Sequence, residues 1–181
     1  MTSFDLEHFL RDHFELLGLP RTQALDTAEL DRVYQEVQGR VHPDKHAHLG
    51  ESERRLSMQW ATRVNEAYVT LKSPLKRAQY LLHVNGVDPQ IEHNTAMPVD
   101  FLMRQMEFRE AVAEAQTAGD ADELEHMLRR LRKEMAGQYA DLVVCLDERQ
   151  DYARAADIVR QLMFQEKLLH EIDEALQTVE V

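Results

Sequence analysis

The residues in this chain best suited to chemistry stand together at His42-Pro43-Asp44-Lys45-His46-Ala47-His48. Two kinds of chemistry fit them. His42, Asp44, His46 and His48 offer imidazole and carboxylate groups of the sort that ligate zinc or nickel. Ligands crowded so closely around a proline close a tetrahedron poorly, however, and no metal site is expected. The second use is docking. Pro43 fixes one φ angle and lowers the entropy cost of ordering its neighbours, so His42 and Asp44 would project from a stiff corner. There Asp44 can meet an arginine or lysine of a partner, and a desolvated carboxylate–guanidinium pair supplies both strength and strict geometry. A bare helix-ending turn is the third reading, because Pro and Asp are ordinary turn residues. The one thiol, Cys145, excludes an intramolecular disulfide framework and a cysteine-based zinc finger.

Elements that could hold such a corner are legible on both sides of it. Phe9 to Leu17 reads as a short amphipathic piece stopped by Gly18-Leu19-Pro20. Asp26 or Thr27 caps the next helix, which carries Leu30, Val33, Tyr34, Val37 and Val41 at helical spacing. Pro43 disfavours helix at the residue before it, and a polar loop runs to Gly50. A long helix follows from about Ser52 to Lys72, with Leu56, Trp60, Val64, Ala67 and Leu71 as its stripe. Pro74 suits the first turn of a fourth helix bearing Leu75, Ala78, Leu81 and Leu82. The two helices that flank the loop should pack as an antiparallel hairpin with the loop at one exposed end.

Charge divides the chain in two. Over 181 residues, 33 Asp and Glu oppose 21 Lys and Arg, for a formal net charge of −12. Residues 1–86 are near neutral, with 12 acids and 11 bases, whereas residues 87–181 hold 21 acids and 10 bases. All five prolines lie within the first 98 residues. We therefore expect a domain over 1–86, a linker over 87–97 and a second domain over 98–181. So negative a chain is unsuited to nucleic acid, which needs clustered cations. No apolar run is long enough to span a bilayer, and Asp5 and Glu7 precede the first basic residue, unlike a secretory leader. A cytoplasmic protein with neither nucleic acid nor membrane as partner is expected.

The acidic half should form three helices over about 98–118, 120–148 and 150–178, an antiparallel bundle joined by short connections. The middle helix has a stripe of Leu124, Leu128, Leu131, Met135, Leu142 and Leu146, and Cys145 beside it reads as a buried, inert thiol. Ala155, Ile158, Leu162, Leu169, Ile172 and Leu176 line the last helix. The first helix is anomalous. Phe101, Phe108, Val112 and Ala115 point within about 40° of one direction, enough for a core face. Leu102, Met103 and Met106 point elsewhere, in company with Glu107, Glu110 and Glu114. Phe164 likewise departs by about 120° from the main direction of its helix. These residues either widen the core, or seal against the other domain, or form a partner-binding surface of apolar anchors fringed by carboxylates.

Two resemblances assign roles to these features. His42-Pro43-Asp44 between two helices, with Asn65-Glu66-Ala67-Tyr68, Leu71, Lys76-Arg77-Ala78 and Tyr80 after it, resembles the J-domain of DnaJ-type co-chaperones. The resemblance implies docking on a DnaK-type ATPase chaperone through His42, Pro43, Asp44 and Lys45, with Arg32 and Arg40 of the preceding helix. It also implies that the active site is the partner's, so this chain is no enzyme and needs no cofactor. The chain departs from the usual pattern in one respect. Arg32, Arg40 and Lys45 are the only cations between Asp26 and Lys45, five acids oppose them, and Val41 stands where a tyrosine is common. Weaker electrostatic steering points to a specialised chaperone partner.

Phe101-Leu102-Met103-Arg104-Gln105-Met106-Glu107-Phe108-Arg109-Glu110 is similar to the start of the C-terminal domain of the HscB family. Asp157 to Phe164 with Lys167-Leu168 resembles that domain's last helix, and Asp12-x-Phe14-x-Leu16-x-Gly18-Leu19-Pro20 resembles the family's opening J-domain segment. The likeness runs over about residues 12–178. It implies an all-α fold, a J-domain plus an antiparallel three-helix bundle. It also implies a co-chaperone of iron–sulfur cluster assembly that binds the scaffold IscU and brings it to the specialised chaperone HscA, stimulating its ATPase. The scaffold-binding positions implied are Leu102, Met103, Met106, Glu107, Glu110, Glu114 and Phe164, the residues that the helical angles leave outside the core face. The competing reading is a general J-domain co-chaperone whose acidic bundle binds unfolded clients.

Overall fold

The computed structural model describes residues 11–41, 50–88 and 97–179. Every element among them is helical: α1 (His13–Leu17), α2 (Thr27–Val41), α3 (Glu51–Lys72), α4 (Pro74–Val84), α5 (Val99–Ala118), α6 (Ala121–Val143) and α7 (Tyr152–Val179). A π-helical turn, Val144–Arg149, follows α6 directly. The chain forms two compact units, Met1–Asn85 and Gly86–Val181.

In the first unit α2 and α3 form the central pair, and α1 packs on α3. Local chemistry sets each boundary. The Asp12 carboxylate accepts the Glu15 amide at 2.8 Å to open α1, and Gly18 closes it at φ 66°. Asp26 accepts from the Ala28 amide at 2.9 Å at the head of α2. Ser73 accepts from Lys76 and Pro74 occupies the first turn, so α4 restarts immediately after α3. Arg77 is buried and donates to the Leu71 carbonyl at 2.7 Å, which satisfies one of the open acceptors at the end of α3. Phe14, Leu30, Val64, Ala67, Leu71, Ala78 and Leu82 are fully enclosed. Leu56, expected in the α3 stripe, is only half-buried, and Ser57 takes the enclosed position beside it. Leu56 lies in the second turn of α3, near the end of the hairpin, where less of the helix is covered.

In the second unit α5, α6 and α7 pack pairwise. Asp120 caps α6 through the Glu123 amide at 3.0 Å, and Gly119 ends α5 at φ 67°. The α6 stripe from Leu124 to Leu142 is buried, and Met127 joins it. Leu146 and Cys145 continue that stripe on the π turn, a break in helical phase that side-chain periodicity did not reveal. The turn finishes at Gln150 in the left-handed region, φ 54°, while the Asp151 amide reaches back to the Cys145 carbonyl at 2.9 Å. Burial pushes the Cys145 thiol up, in keeping with an unreactive side chain. On α7 the enclosed residues include Leu162, Gln165, Leu168, Ile172 and Ala175; Leu169 and Leu176, expected in the core, are half-buried. The seam follows Leu162-Gln165-Leu168-Ile172-Ala175, spacings of three and four, so the core-facing direction rotates slightly along this long helix.

Candidate functional site

The α5 helix has apolar groups around most of its circumference. Phe101, Gln105, Val112 and Ala115 face the bundle. Phe108, expected among them, is half-buried, and the Arg130 guanidinium lies over its ring at 4.8 Å. Gln105 takes the enclosed position one turn earlier, and its buried Oε1 has no hydrogen-bond partner among the described residues.

On the far side of α5, Met103 is 55% and Met106 62% exposed. Leu102 is half-buried. Val99, 70% exposed, precedes Met103 by one turn. Val99, Met103, Met106 and Glu110 follow the i, i+4, i+7, i+11 spacing of a single helical stripe. Sequence reading passed over Val99, although a helix over 98–118 already gives it the direction of Met103 and Met106. Glu107, Glu110 and Glu114 are exposed, with no ion-pair partner among the described residues. Other carboxylates of this unit are engaged: Glu171 accepts from Arg109 at 2.8 Å, and Glu125 accepts from Arg129 at 2.9 Å. Phe164 on α7 is half-buried and meets buried Phe101 edge to face, centroids 6.1 Å apart and planes at 80°. Phe101 thus joins the core side of α5 to the Phe164 ring.

The second candidate surface lies in the N-terminal unit. His42, Pro43, Asp44 and Lys45, with His46 and His48, fall outside the described residues. The elements that carry the two ends of their loop are well tied. Asp31 on α2 receives the Lys72 ammonium at 2.6 Å and the Tyr68 hydroxyl at 2.9 Å, both from α3. Tyr34 and Tyr68 stack at 4.0 Å, and the Tyr34 hydroxyl donates to Asn65 at 3.2 Å. The hydrogen bond from Lys72, followed by that from Tyr68, holds the Asp31 carboxyl below its usual range. Asp31 and Tyr34 are one turn apart on α2 and face Tyr68 on α3, so this cluster sets the register of the hairpin. Sequence reading took Asp31 only as a charge opposing the cations; nothing local signals its partner across the hairpin.

Arg32 and Arg40 are both exposed on α2. Arg32 is gripped within its own helix, by Glu29 at 2.6 Å and by Glu36. The Glu29 hydrogen bond raises the guanidinium pKa further, and the same contact lowers the Glu29 carboxyl. Most of the field of Arg32 is thereby cancelled locally.

Comparison with known proteins bears on both surfaces. Residues 12–80 match the DnaJ domain model, and residues 97–173 match the model described as the HSCB C-terminal oligomerisation domain. A co-chaperone protein HscB homolog of Aromatoleum aromaticum is 53% identical over 98% of this chain and 99% of its own length. The chain belongs to the HscB family. Its J-domain marks it as a co-chaperone, whose partner is a chaperone of the DnaK type. Solved HscB structures have the same architecture. The chaperone HscB from Vibrio cholerae superposes with a TM-score of 0.81 at 34% identity, over 91% of this chain and 96% of that one. Human co-chaperone protein HscB gives 0.81 at 31% identity, over 91% of this chain and 82% of its own. Among the described residues of this HscB-family chain, no helix is long and apolar enough to cross a membrane.

Proposed function

We propose that this chain is a tether that carries a folded iron–sulfur scaffold of the IscU type to a specialised DnaK-type chaperone of the HscA type. The observation that carries the reading is the outward strip of α5. Val99, Met103 and Met106 are exposed in line, and the carboxylates of Glu107, Glu110 and Glu114 stand beside them unpaired among the described residues. Leu102 and Phe164 complete the set as half-buried anchors whose outer edges are available. Apolar groups at the centre of such a surface supply affinity, and the carboxylates supply orientation and discrimination between partners. Met106 is flexible enough to conform to the surface that it meets.

The other end of the tether is the J-domain loop. His42, Pro43, Asp44 and Lys45 dock on the chaperone, with Arg40 beside them and Arg32 contributing little while Glu29 and Glu36 hold it. Docking stimulates ATP hydrolysis at the chaperone's own active site, and this chain carries out no bond-making step. Hydrolysis captures the scaffold and loosens its hold on the cluster, which then passes to an acceptor protein in the cytoplasm. The test is the chaperone's ATPase rate with scaffold present. Asp44→Asn should abolish the stimulation while leaving scaffold affinity intact. Full stimulation by the variant would remove the J-domain from the mechanism.

A further inference from the structure

Five large apolar side chains stand well exposed among the described residues, and they fall on two helix faces. Val99, Met103 and Met106 form the outward strip of α5. Met58, 57% exposed, and Val69, 46% exposed, stand on α3. They lie within about 20° of each other around the helix, on the side away from the Trp60-Val64-Ala67-Leu71 seam. Arg54 and Arg55 flank the same line one turn before Met58. Both are exposed, and neither has an ion-pair partner among the described residues. The tether makes no use of this α3 face.

We propose that the α3 face of one copy of this chain receives the α5 strip of a second copy. The two faces are complementary in charge, arginines on one and the carboxylates of Glu107 and Glu110 on the other. They are also complementary in order. Along α3 the cations come first and the apolar groups follow, whereas along α5 the apolar groups come first and the carboxylates follow. An antiparallel crossing therefore sets arginine against glutamate and methionine against methionine; a parallel crossing does neither. Spacing agrees. Arg54 is four residues from Met58, and Glu110 is four residues from Met106, about 6 Å along each axis. Glu51 and Glu114 fall at the rim of this register, and their repulsion weakens the pairing. The apolar lines run about 16 Å on α3 and about 10 Å on α5. Such contacts are short for a permanent interface, so the copies exchange readily. The consequence for α5 rests on its reading as the scaffold site: without scaffold a neighbouring copy covers Met103 and Met106, and a folded scaffold displaces that copy.

Sedimentation velocity of the full chain, from micromolar to submillimolar concentration, tests the pairing with no scaffold present. The sedimentation coefficient should rise with concentration, and added salt should suppress the rise by screening the charge pairs. Arg54→Glu with Arg55→Glu sets acid against acid, and Glu107→Lys with Glu110→Lys sets base against base. Each variant alone should therefore stay monomeric. An equimolar mixture of the two should associate again, because the altered face of the first fits the altered strip of the second. Recovery on mixing also shows that both variants are folded. An unaltered chain that is monomeric at every concentration overturns the proposal. So does continued self-association of the arginine variant, which would place strip against strip. Titration of folded IscU-type scaffold into the associated chain should then yield one-to-one complexes. Association that persists with scaffold bound overturns the competition and leaves the tether standing. Association by a chain that binds no scaffold overturns the tether and leaves the pairing of copies standing.

Discussion

Replacing Met103 and Met106 together with alanine should weaken scaffold binding by roughly 30-fold and leave the fold intact. Complete burial of a methionine side chain is worth about 1.5–3 kcal/mol. Met103 and Met106 are 55% and 62% exposed, so each has somewhat more than half of that still to gain on binding. About 1 kcal/mol apiece gives about 2 kcal/mol for the pair, and 1.4 kcal/mol corresponds to a factor of ten in Kd. Alanine keeps the helix propensity of α5, and surface changes of this type shift stability within about 0.5 kcal/mol. Calorimetric titration of the IscU-type scaffold gives the affinity, and thermal unfolding gives the stability control. A Kd within twofold of the parent, with an unchanged melting transition, would refute the assignment of this strip. A large drop in melting temperature would instead mean that the two side chains are structural, contrary to their exposure.

The remaining expectations concern the N-terminal unit. Burial keeps the His13 imidazole below its ordinary value of 6.5, outweighing Glu66. The folded unit therefore binds the proton less readily than the unfolded chain, so its stability is full above pH 6.5 and declines as pH falls through the folded value. His13→Phe, which preserves stacking on Tyr80 at 4.1 Å, should flatten the loss between pH 7.5 and 5.5, followed by fluorescence of the one tryptophan, Trp60; an unchanged pH slope would rule His13 out. Glu29→Gln with Glu36→Gln should free Arg32 and make chaperone association tighter and more salt-sensitive, and adding Arg32→Gln should cancel the gain. If the gain survives that third change, Arg32 is not its source.

The helices were readable because each has one apolar stripe at helical spacing and a punctuation mark at its ends, such as Asp120 before α6 or Pro74 in α4. Reading failed where phase is decided by neighbours rather than by the helix itself. Phe108 and Gln105 are both near the core direction of α5, and the placement of Arg130 over the Phe108 ring accompanies the partial exposure of that residue. The π turn at Val144–Arg149 leaves no local signature in side-chain type. On the site, the angular separation of Met103 and Met106 from Phe101 was visible in the sequence, because it depends only on helix geometry. The self-neutralisation of Arg32 follows from i+3 and i+4 spacing and was legible in principle. The Asp31–Lys72–Tyr68 cluster was not, since its members are 37 and 41 residues apart in the chain.

The central claim is that the acidic bundle takes one folded scaffold rather than unfolded chains in general. Parallel titrations of this chain with folded IscU-type scaffold and with a denatured model protein test that claim most directly. Saturable one-to-one binding of the folded scaffold, weakened by changes at Leu102, Met106 and Phe164 and absent for the denatured protein, is the predicted result. Equal binding of both would contradict the account and make the chain a general co-chaperone.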